Sequence, residues 1–199
     1  MKRVVLAALL VTMAWPTWPG EAADIQVCGQ VVTIDGDIAA GDFETFQAKT
    51  ASLDKAAVIL RGAGGLIFEA IDIGERIKEK GYSTYVEENC TSSCGFIWLA
   101  GSPRTKLATA NVGFHRPYSS ETWTAPGWVV DTVRAYMQAL GLNKATIEFT
   151  LSVTQPTDVI YLTENDPKRL GLAVAIVPGP VTAPSHLTSK VGSGFGVSQ

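Results

Sequence analysis

The stretch of residues 82–101 constrains the fold more than any other part of the sequence. It starts as a strand-like run, passes through small polar residues that include Ser92 and Ser93, and ends in an apolar run. Because the apolar run is too short to cross a membrane, the pattern predicts a strand, a tight turn and a buried helix. Ser93 is then expected at the start of the helix, where unpaired amides and the helix dipole favour an oxyanion. The plainer alternative is that Ser92 or Ser93 is only an N-cap.

A second constraint comes from the histidines, of which the sequence has 2. His186 lies in a segment rich in Pro, Ser, Thr and Gly, which predicts a flexible tail, so His115 is the histidine available to a folded core. His115 follows a short strand-like run at 110–114 and comes shortly before Pro117, which ends regular strand pairing. The pattern places an imidazole at a strand end beside a loop, where catalytic groups often lie. Alternatively, His115 caps the strand through a backbone hydrogen bond.

A third stretch, residues 58–65, reads as a buried strand that runs into a glycine-rich turn. It opens a predicted helix in which Leu66, Ala70, Ile73 and Ile77 recur at helical spacing. Glycines in such a turn let the backbone approach a ligand closely. Repeated strand and helix units of this kind predict an α/β domain with a parallel sheet.

Taken in order, the Gly-Gly turn, the Ser-Ser-Cys-Gly turn and the Gly-Phe-His-Arg-Pro stretch resemble the Clp protease proteolytic subunit and its relatives in the crotonase-like superfamily. The resemblance covers about residues 25–177 and implies a single-domain α/β fold of repeated strand-strand-helix units. It implies Ser93 as nucleophile, His115 as general base, and amides near Gly64, Gly65 and Cys94 as the oxyanion hole. It also implies a peptide or protein substrate, no cofactor, and possible homo-oligomers.

The acidic member of a catalytic triad has no clearly matching position. Related enzymes place it after the histidine and before the helix that precedes the last strand, here between about 149 and 167. Glu164 and Asp166 suit the solvated start of a helix, so Asp158 is the predicted orienting acid by elimination. The alternative is that Asp158 only orders the turn after Pro156.

The sequence has 3 cysteines, Cys28, Cys90 and Cys94. Cys90 and Cys94 are within bridging distance if the chain between them turns, so a disulfide that fixes the nucleophile turn is predicted. Cys28 paired with either of them is the competing possibility, and one thiol stays unpaired in any case. Three cysteines and His115 at these spacings match no zinc ribbon or finger, so no metal site is predicted.

The N-terminus reads as an export signal over residues 1–23, with a basic start, an apolar run and small residues for cleavage. The apolar run is too short for a stable membrane anchor. Residues 24–178 are then predicted to form one domain and residues 179–199 a flexible tail. Such a protein would be periplasmic or secreted, in a compartment where disulfides persist.

A formal net charge of −3 and no dense basic run after the signal argue against a nucleic-acid partner. The favoured function is an exported serine hydrolase, most simply a peptidase, that uses Ser93, His115 and Asp158. The competing function is an inactive member of the same fold that binds a peptide or partner chain. A Ser/Lys hydrolase is less favoured because no lysine lies in a distinguishing motif. An acyl-CoA enzyme is disfavoured because its cofactor is not expected outside the cytoplasm.

Overall fold

The computed structural model describes residues 22–155 and 157–179. Most of the predicted signal segment, residues 1–21, lies outside the described residues, as does the predicted tail from residue 180 onward. The described residues form one mixed α/β domain, which confirms the predicted class and the single domain. None of the described helices is long and apolar enough to cross a membrane.

Eight strands and six helices make up the described part of the domain. The strands are β1 (Asp24–Cys28), β2 (Val31–Asp35), β3 (Ala57–Gly62), β4 (Ser83–Thr91), β5 (Arg104–Leu107), β6 (Asn111–Phe114), β7 (Ile160–Tyr161) and β8 (Ala175–Val177). The helices are α1 (Asp42–Thr50), α2 (Ile67–Lys80), α3 (Ser93–Trp98), α4 (Gly127–Ala139), α5 (Lys144–Thr150) and α6 (Asp166–Leu170).

The strands form one mixed sheet in the order β1-β2-β3-β4-β5-β8. Strands β2, β3, β4, β5 and β8 run parallel, as the alternation of strands and helices predicts. Two pairs are antiparallel, the N-terminal hairpin β1–β2 and the short pair β6–β7. The sheet is therefore parallel at its centre and antiparallel where a strand pair closes an edge.

Strand β4 is the branch point of the sheet. Its first half pairs with β5 through Thr84 to Val86, and its second half pairs with β6 through Asn89 to Thr91. Both partners are parallel to β4, so the carboxyl ends of β3, β4 and β6 come to the same edge. Ligands in open parallel sheets bind at this edge, outside the strand ends.

The core is apolar, and its largest fully buried side chains include Trp98, Tyr82 and Phe46. In α2 the residues Ala70, Ile73 and Ile77 are buried, as their spacing predicts. Leu66 departs from that pattern and is 50% exposed. It is the N-cap of α2 with an extended backbone, so its side chain does not follow the helical periodicity.

Candidate active site

Three turns meet at the carboxyl edge of the sheet. Gly62 at the end of β3 pairs with Cys90, and Thr91 at the end of β4 pairs with Gly113. The residues that follow these strand ends are the Gly64-Gly65 turn, the Ser92-Ser93 turn and His115. The register of the parallel strands thus brings together the three segments that the sequence singled out.

Ser92 lies in the sharp turn between β4 and α3. It has φ 55° and ψ −125°, a conformation that is strained for a residue with a Cβ atom and costs about 1–3 kcal/mol. The Ser92 amide donates to the carbonyl oxygen of Gly113 at 2.9 Å, and the Ser92 carbonyl accepts from Phe96 at 3.2 Å. A strained strand-to-helix turn of this kind presents a serine hydroxyl at the top of the sheet in hydrolases. Ser92 lines the cleft described below.

Ser93, the predicted nucleophile, is the first residue of α3 and is only 1% exposed. Its hydroxyl donates to the carbonyl oxygen of Gly65 at 2.7 Å. The hydroxyl is therefore already engaged, whereas the side chain of Ser92 makes no hydrogen bond as an N-cap. The two serines thus differ in that Ser92 has the strained backbone and Ser93 has the engaged, buried hydroxyl.

The Gly64-Gly65 turn packs directly against the serine turn. Gly64 has φ 131° and Gly65 has φ 117°, values that favour glycine. A Cβ atom on Gly64 would lie 2.6 Å from the Cβ of Ser92, and one on Gly65 would lie 2.1 Å from the carbonyl oxygen of Ile38. The chain can approach Ser92 this closely only because Gly64 lacks a side chain, and it can approach Ile38 only because Gly65 lacks one.

A disulfide joins Cys90 in β4 to Cys94 in α3, with a Cα–Cα distance of 5.1 Å. This is the pairing that the sequence predicted, and Cys28 is an exposed free thiol. The bridge encloses Ser92 and Ser93, so it ties the end of the strand to the first turn of the helix across the strained residue. Both bridged cysteines are buried.

His115 follows β6 and is 7% exposed. Its Nδ1 lies 2.7 Å from the carbonyl oxygen of Arg116. A carbonyl oxygen can only accept a hydrogen bond, so Nδ1 carries a proton, and in the neutral form of the ring the lone pair is on Nε2. His115 lines the same cleft as Ser92.

The structure does not bring Asp158 to the histidine. The Nδ1 position is taken by Arg116, and the side chain of Asp158 is exposed, with Thr157 as its hydrogen-bond partner. Asp158 lies two residues before Ile160, which begins β7 and pairs with Phe114, so Asp158 is outside the β6–β7 pairing.

The cleft in front of these residues has a volume of about 790 Å³. Aromatic side chains form two of its borders. Phe68 of α2 stacks on Trp128 of α4 with ring centroids 5.8 Å apart, and Tyr118 stacks on Trp123 at 5.7 Å. Trp128, which lines the cleft, is 61% exposed, and Trp123, which is not a lining residue, is 55% exposed. Exposed rings that lie together are typical of a binding surface.

The charged residues that line the cleft are Asp37 and Glu69. Both oxygens of Glu69 accept backbone hydrogen bonds, from Gly41 and Phe43, and Asp37 accepts one from Ala63. Among the described residues that line it there is no Lys or Arg. The cleft is therefore apolar and weakly acidic, and it offers no cation that would bind a phosphate or carboxylate group.

No family model and no curated protein matches the chain.

Other polar clusters do not add to this site. Lys106 is buried away from the cleft, where its Nζ donates to the carbonyl oxygens of Leu107 and Ala108, and burial lowers its pKa. In the described residues no group of three or more His, Cys, Asp or Glu side chains is placed to hold a metal ion.

The sequence patterns did not predict two parts of the site, the carbonyl of Arg116 beside the histidine and the stacked pair of Phe68 and Trp128. The only sequence feature that indicated the aromatic pair is that Phe68 and Trp128 each lie at the start of a helix, in α2 and in α4.

Proposed function

We propose that the protein is an exported serine hydrolase with the Clp protease or crotonase-like fold, and that Ser92 is its nucleophile. The observation that carries the proposal is that Ser92, on a strained strand-to-helix turn, lines the same cleft as His115, whose Nδ1 lies against a backbone carbonyl. Activated serines in unrelated hydrolases share this arrangement of an exposed hydroxyl and a nearby imidazole. The disulfide and the signal-like N-terminal sequence support export.

In the proposed reaction the Oγ of Ser92 attacks a substrate carbonyl carbon while His115 Nε2 takes the hydroxyl proton. A new Oγ–C bond forms, and the carbonyl oxygen becomes an oxyanion. When the tetrahedral intermediate collapses, the bond to the leaving group breaks and the imidazolium returns its proton to that group. Water, deprotonated by the same nitrogen, then hydrolyses the acyl-enzyme and frees Ser92.

The neutral carbonyl of Arg116 fixes the tautomer of His115 but offers less stabilisation to an imidazolium than a carboxylate does. We therefore expect a Ser-His dyad of modest turnover rather than a full triad. A Ser/Lys mechanism has no support here, because no lysine lines the cleft in the described part of the chain.

The cleft lining favours a substrate whose acyl portion is apolar and carries no negative charge. Aromatic rings would contact such a group, while Asp37 would repel an anion. A peptide with apolar side chains beside the scissile bond fits this description, and a phosphate-bearing acyl carrier fits it poorly.

The second candidate function is an inactive protein of this fold that binds a peptide in the same cleft. It is favoured by the missing carboxylate at His115 and by the exposed rings of Trp123 and Trp128. This function requires the aromatic borders but neither Ser92 nor His115.

Hydrolysis of fluorogenic peptides and p-nitrophenyl esters by the purified mature protein distinguishes the two functions. The proposal predicts turnover that Ser92→Ala lowers by about 10³-fold or more, with His115→Gln similarly impaired. Thr132→Ala is a suitable control, because its exposed hydroxyl bonds only within α4. A folded parent that binds peptides but shows no turnover would establish the binding function instead.

A further inference from the structure

The Gly64-Gly65 turn is held on one side by Ile38. The Ile38 amide donates to the carbonyl oxygen of Gly64 at 2.6 Å, and the Leu66 amide donates to the carbonyl oxygen of Ile38 at 2.8 Å. These two bonds make a single parallel bridge between Ile38 and Gly65. In a parallel bridge of this pattern, the residue between the two bonded peptides turns its own N–H and C=O away from the partner. The N–H and C=O of Gly65 therefore both face away from Ile38.

On the side facing away from Ile38, the carbonyl oxygen of Gly65 meets the hydroxyl of Ser93 at 2.7 Å. The N–H of Gly65 also faces away from Ile38, and Gly65 lines the cleft together with Ser92. In the described part of the chain this N–H donates to no backbone oxygen. An unpaired amide beside a nucleophile is the kind of donor that stabilises a tetrahedral oxyanion.

Gly65 needs to be held, because a glycine at φ 117° has no side chain to limit its rotation. The Ile38 bridge fixes the two peptides through Gly64 and Leu66. The Ser93 hydroxyl is the contact to the carbonyl of Gly65 itself, and it comes from the residue directly after Ser92. One buried hydrogen bond thus links the donor turn to the nucleophile turn.

We propose that Ser93 is a positioning residue, whose hydroxyl holds Gly65 so that the Gly65 N–H stays directed at the oxyanion formed on Ser92. The inference rests on the proposed hydrolase function. It gives the two adjacent serines separate tasks, since Ser92 attacks the substrate and Ser93 orders the oxyanion donor.

Ser93→Ala removes the hydroxyl and frees Gly65 to rotate. Loss of an oxyanion donor lowers kcat by about 100- to 1,000-fold, so partial disorder of this donor should lower kcat by about 10- to 100-fold. KM should change less than 3-fold, about 0.6 kcal/mol, because the donor acts on the transition state rather than on the bound substrate. The variant should fold, since one buried hydrogen bond contributes about 1–3 kcal/mol against a domain stability of about 5–15 kcal/mol.

Thr84→Val provides a matched control. Like the Ser93 hydroxyl, the Thr84 hydroxyl is buried and donates to a backbone carbonyl oxygen. Its acceptor is Trp98 at 2.8 Å, at the end of α3 that is distant from Ser92. Thr84→Val should lose stability as Ser93→Ala does and keep the kcat of the parent. Ser93→Thr, which retains a hydroxyl, should recover most of the kcat that Ser93→Ala loses.

The test measures kcat, KM and the inhibition constant of a peptide aldehyde for the parent and these three variants. A peptide aldehyde forms a hemiacetal with the nucleophile and so reports on the oxyanion site. The proposal predicts that Ser93→Ala weakens aldehyde binding by about the factor by which it lowers kcat. Parent-like kcat and aldehyde affinity in a folded Ser93→Ala protein would overturn the positioning role alone. A parent that hydrolyses no substrate would instead overturn the hydrolase function on which it rests.

Discussion

Removing the Cys90–Cys94 disulfide should lower catalysis more than the loss of stability explains. The bridge spans a sequence separation of 4, and the chain-entropy relation for so short a loop gives about 2 kcal/mol of stabilisation at 25 °C. A loss of that size leaves a domain of ordinary stability folded. The bridge also crosses Ser92, whose positive φ stores about 1–3 kcal/mol of strain.

Without the bridge, the turn can relax from the strained conformation that presents the Ser92 hydroxyl. If the whole strain is released, the active conformation loses about 1–3 kcal/mol relative to the relaxed one. At 1.4 kcal/mol for each factor of ten, kcat should fall by about 5- to 150-fold. Removal of the disulfide should also lower the free energy of unfolding by about 2 kcal/mol.

The assay compares the oxidised protein with the reduced protein and with the double variant Cys90→Ala/Cys94→Ala. All three should carry Cys28→Ala, because the exposed Cys28 thiol would otherwise exchange with the bridge. Chemical denaturation gives the stability and ester hydrolysis gives kcat. The reasoning is refuted if the reduced protein loses about 2 kcal/mol of stability and keeps the kcat of its oxidised form.

Three further results are expected. Asp158→Asn should keep parent-like kcat, because Arg116 occupies the Nδ1 position, and a loss of about 10³-fold or more would show that Asp158 orients the imidazole in solution. Trp128→Ala should raise KM for aromatic substrates by about 2- to 12-fold with little change in kcat, since each lost aromatic contact is worth about 0.5–1.5 kcal/mol; equal KM values would exclude the aromatic border from binding. Burial alone raises the pKa of the Asp166 carboxyl, but bonds from Thr163 and Arg169 outweigh it and hold the pKa below the ordinary 3.8. The ionised Asp166 carboxyl therefore contributes fully to the free energy of unfolding above pH 3.8, and this contribution is lost as the pH falls through the folded pKa. In acid denaturation, the difference in unfolding free energy between the parent and Asp166→Asn should become smaller below pH 3.8; a difference that stays constant would contradict this.

Much of the fold follows from local sequence patterns. The strand before the glycine turn, the buried face of α2 and the helix after the serines all have clear periodicity, and they form where the sequence predicts them. The position of His115 at a strand end was also readable, because a short β-run precedes it. The Cys90–Cys94 bridge follows from the turn between β4 and α3.

The details of the site depend on backbone angles and on strand register, which local patterns do not determine. Ser92 and Ser93 are chemically identical neighbours, and they are distinguished by the positive φ of Ser92 and by the burial and hydrogen bond of the Ser93 hydroxyl. Asp158 was chosen by its place in the sequence. In the structure Asp158 lies outside β7 and is exposed, while the carbonyl oxygen of Arg116 contacts Nδ1 of His115.

The most direct test of the account is to identify the residue that a fluorophosphonate probe modifies in the purified, oxidised mature protein. Peptide mapping by mass spectrometry should place the adduct on Ser92, and Ser92→Ala should prevent labelling while Ser93→Ala is still labelled at a reduced rate. An adduct on Ser93, or a folded parent that takes no label, would contradict the central claim that Ser92 is an activated nucleophile.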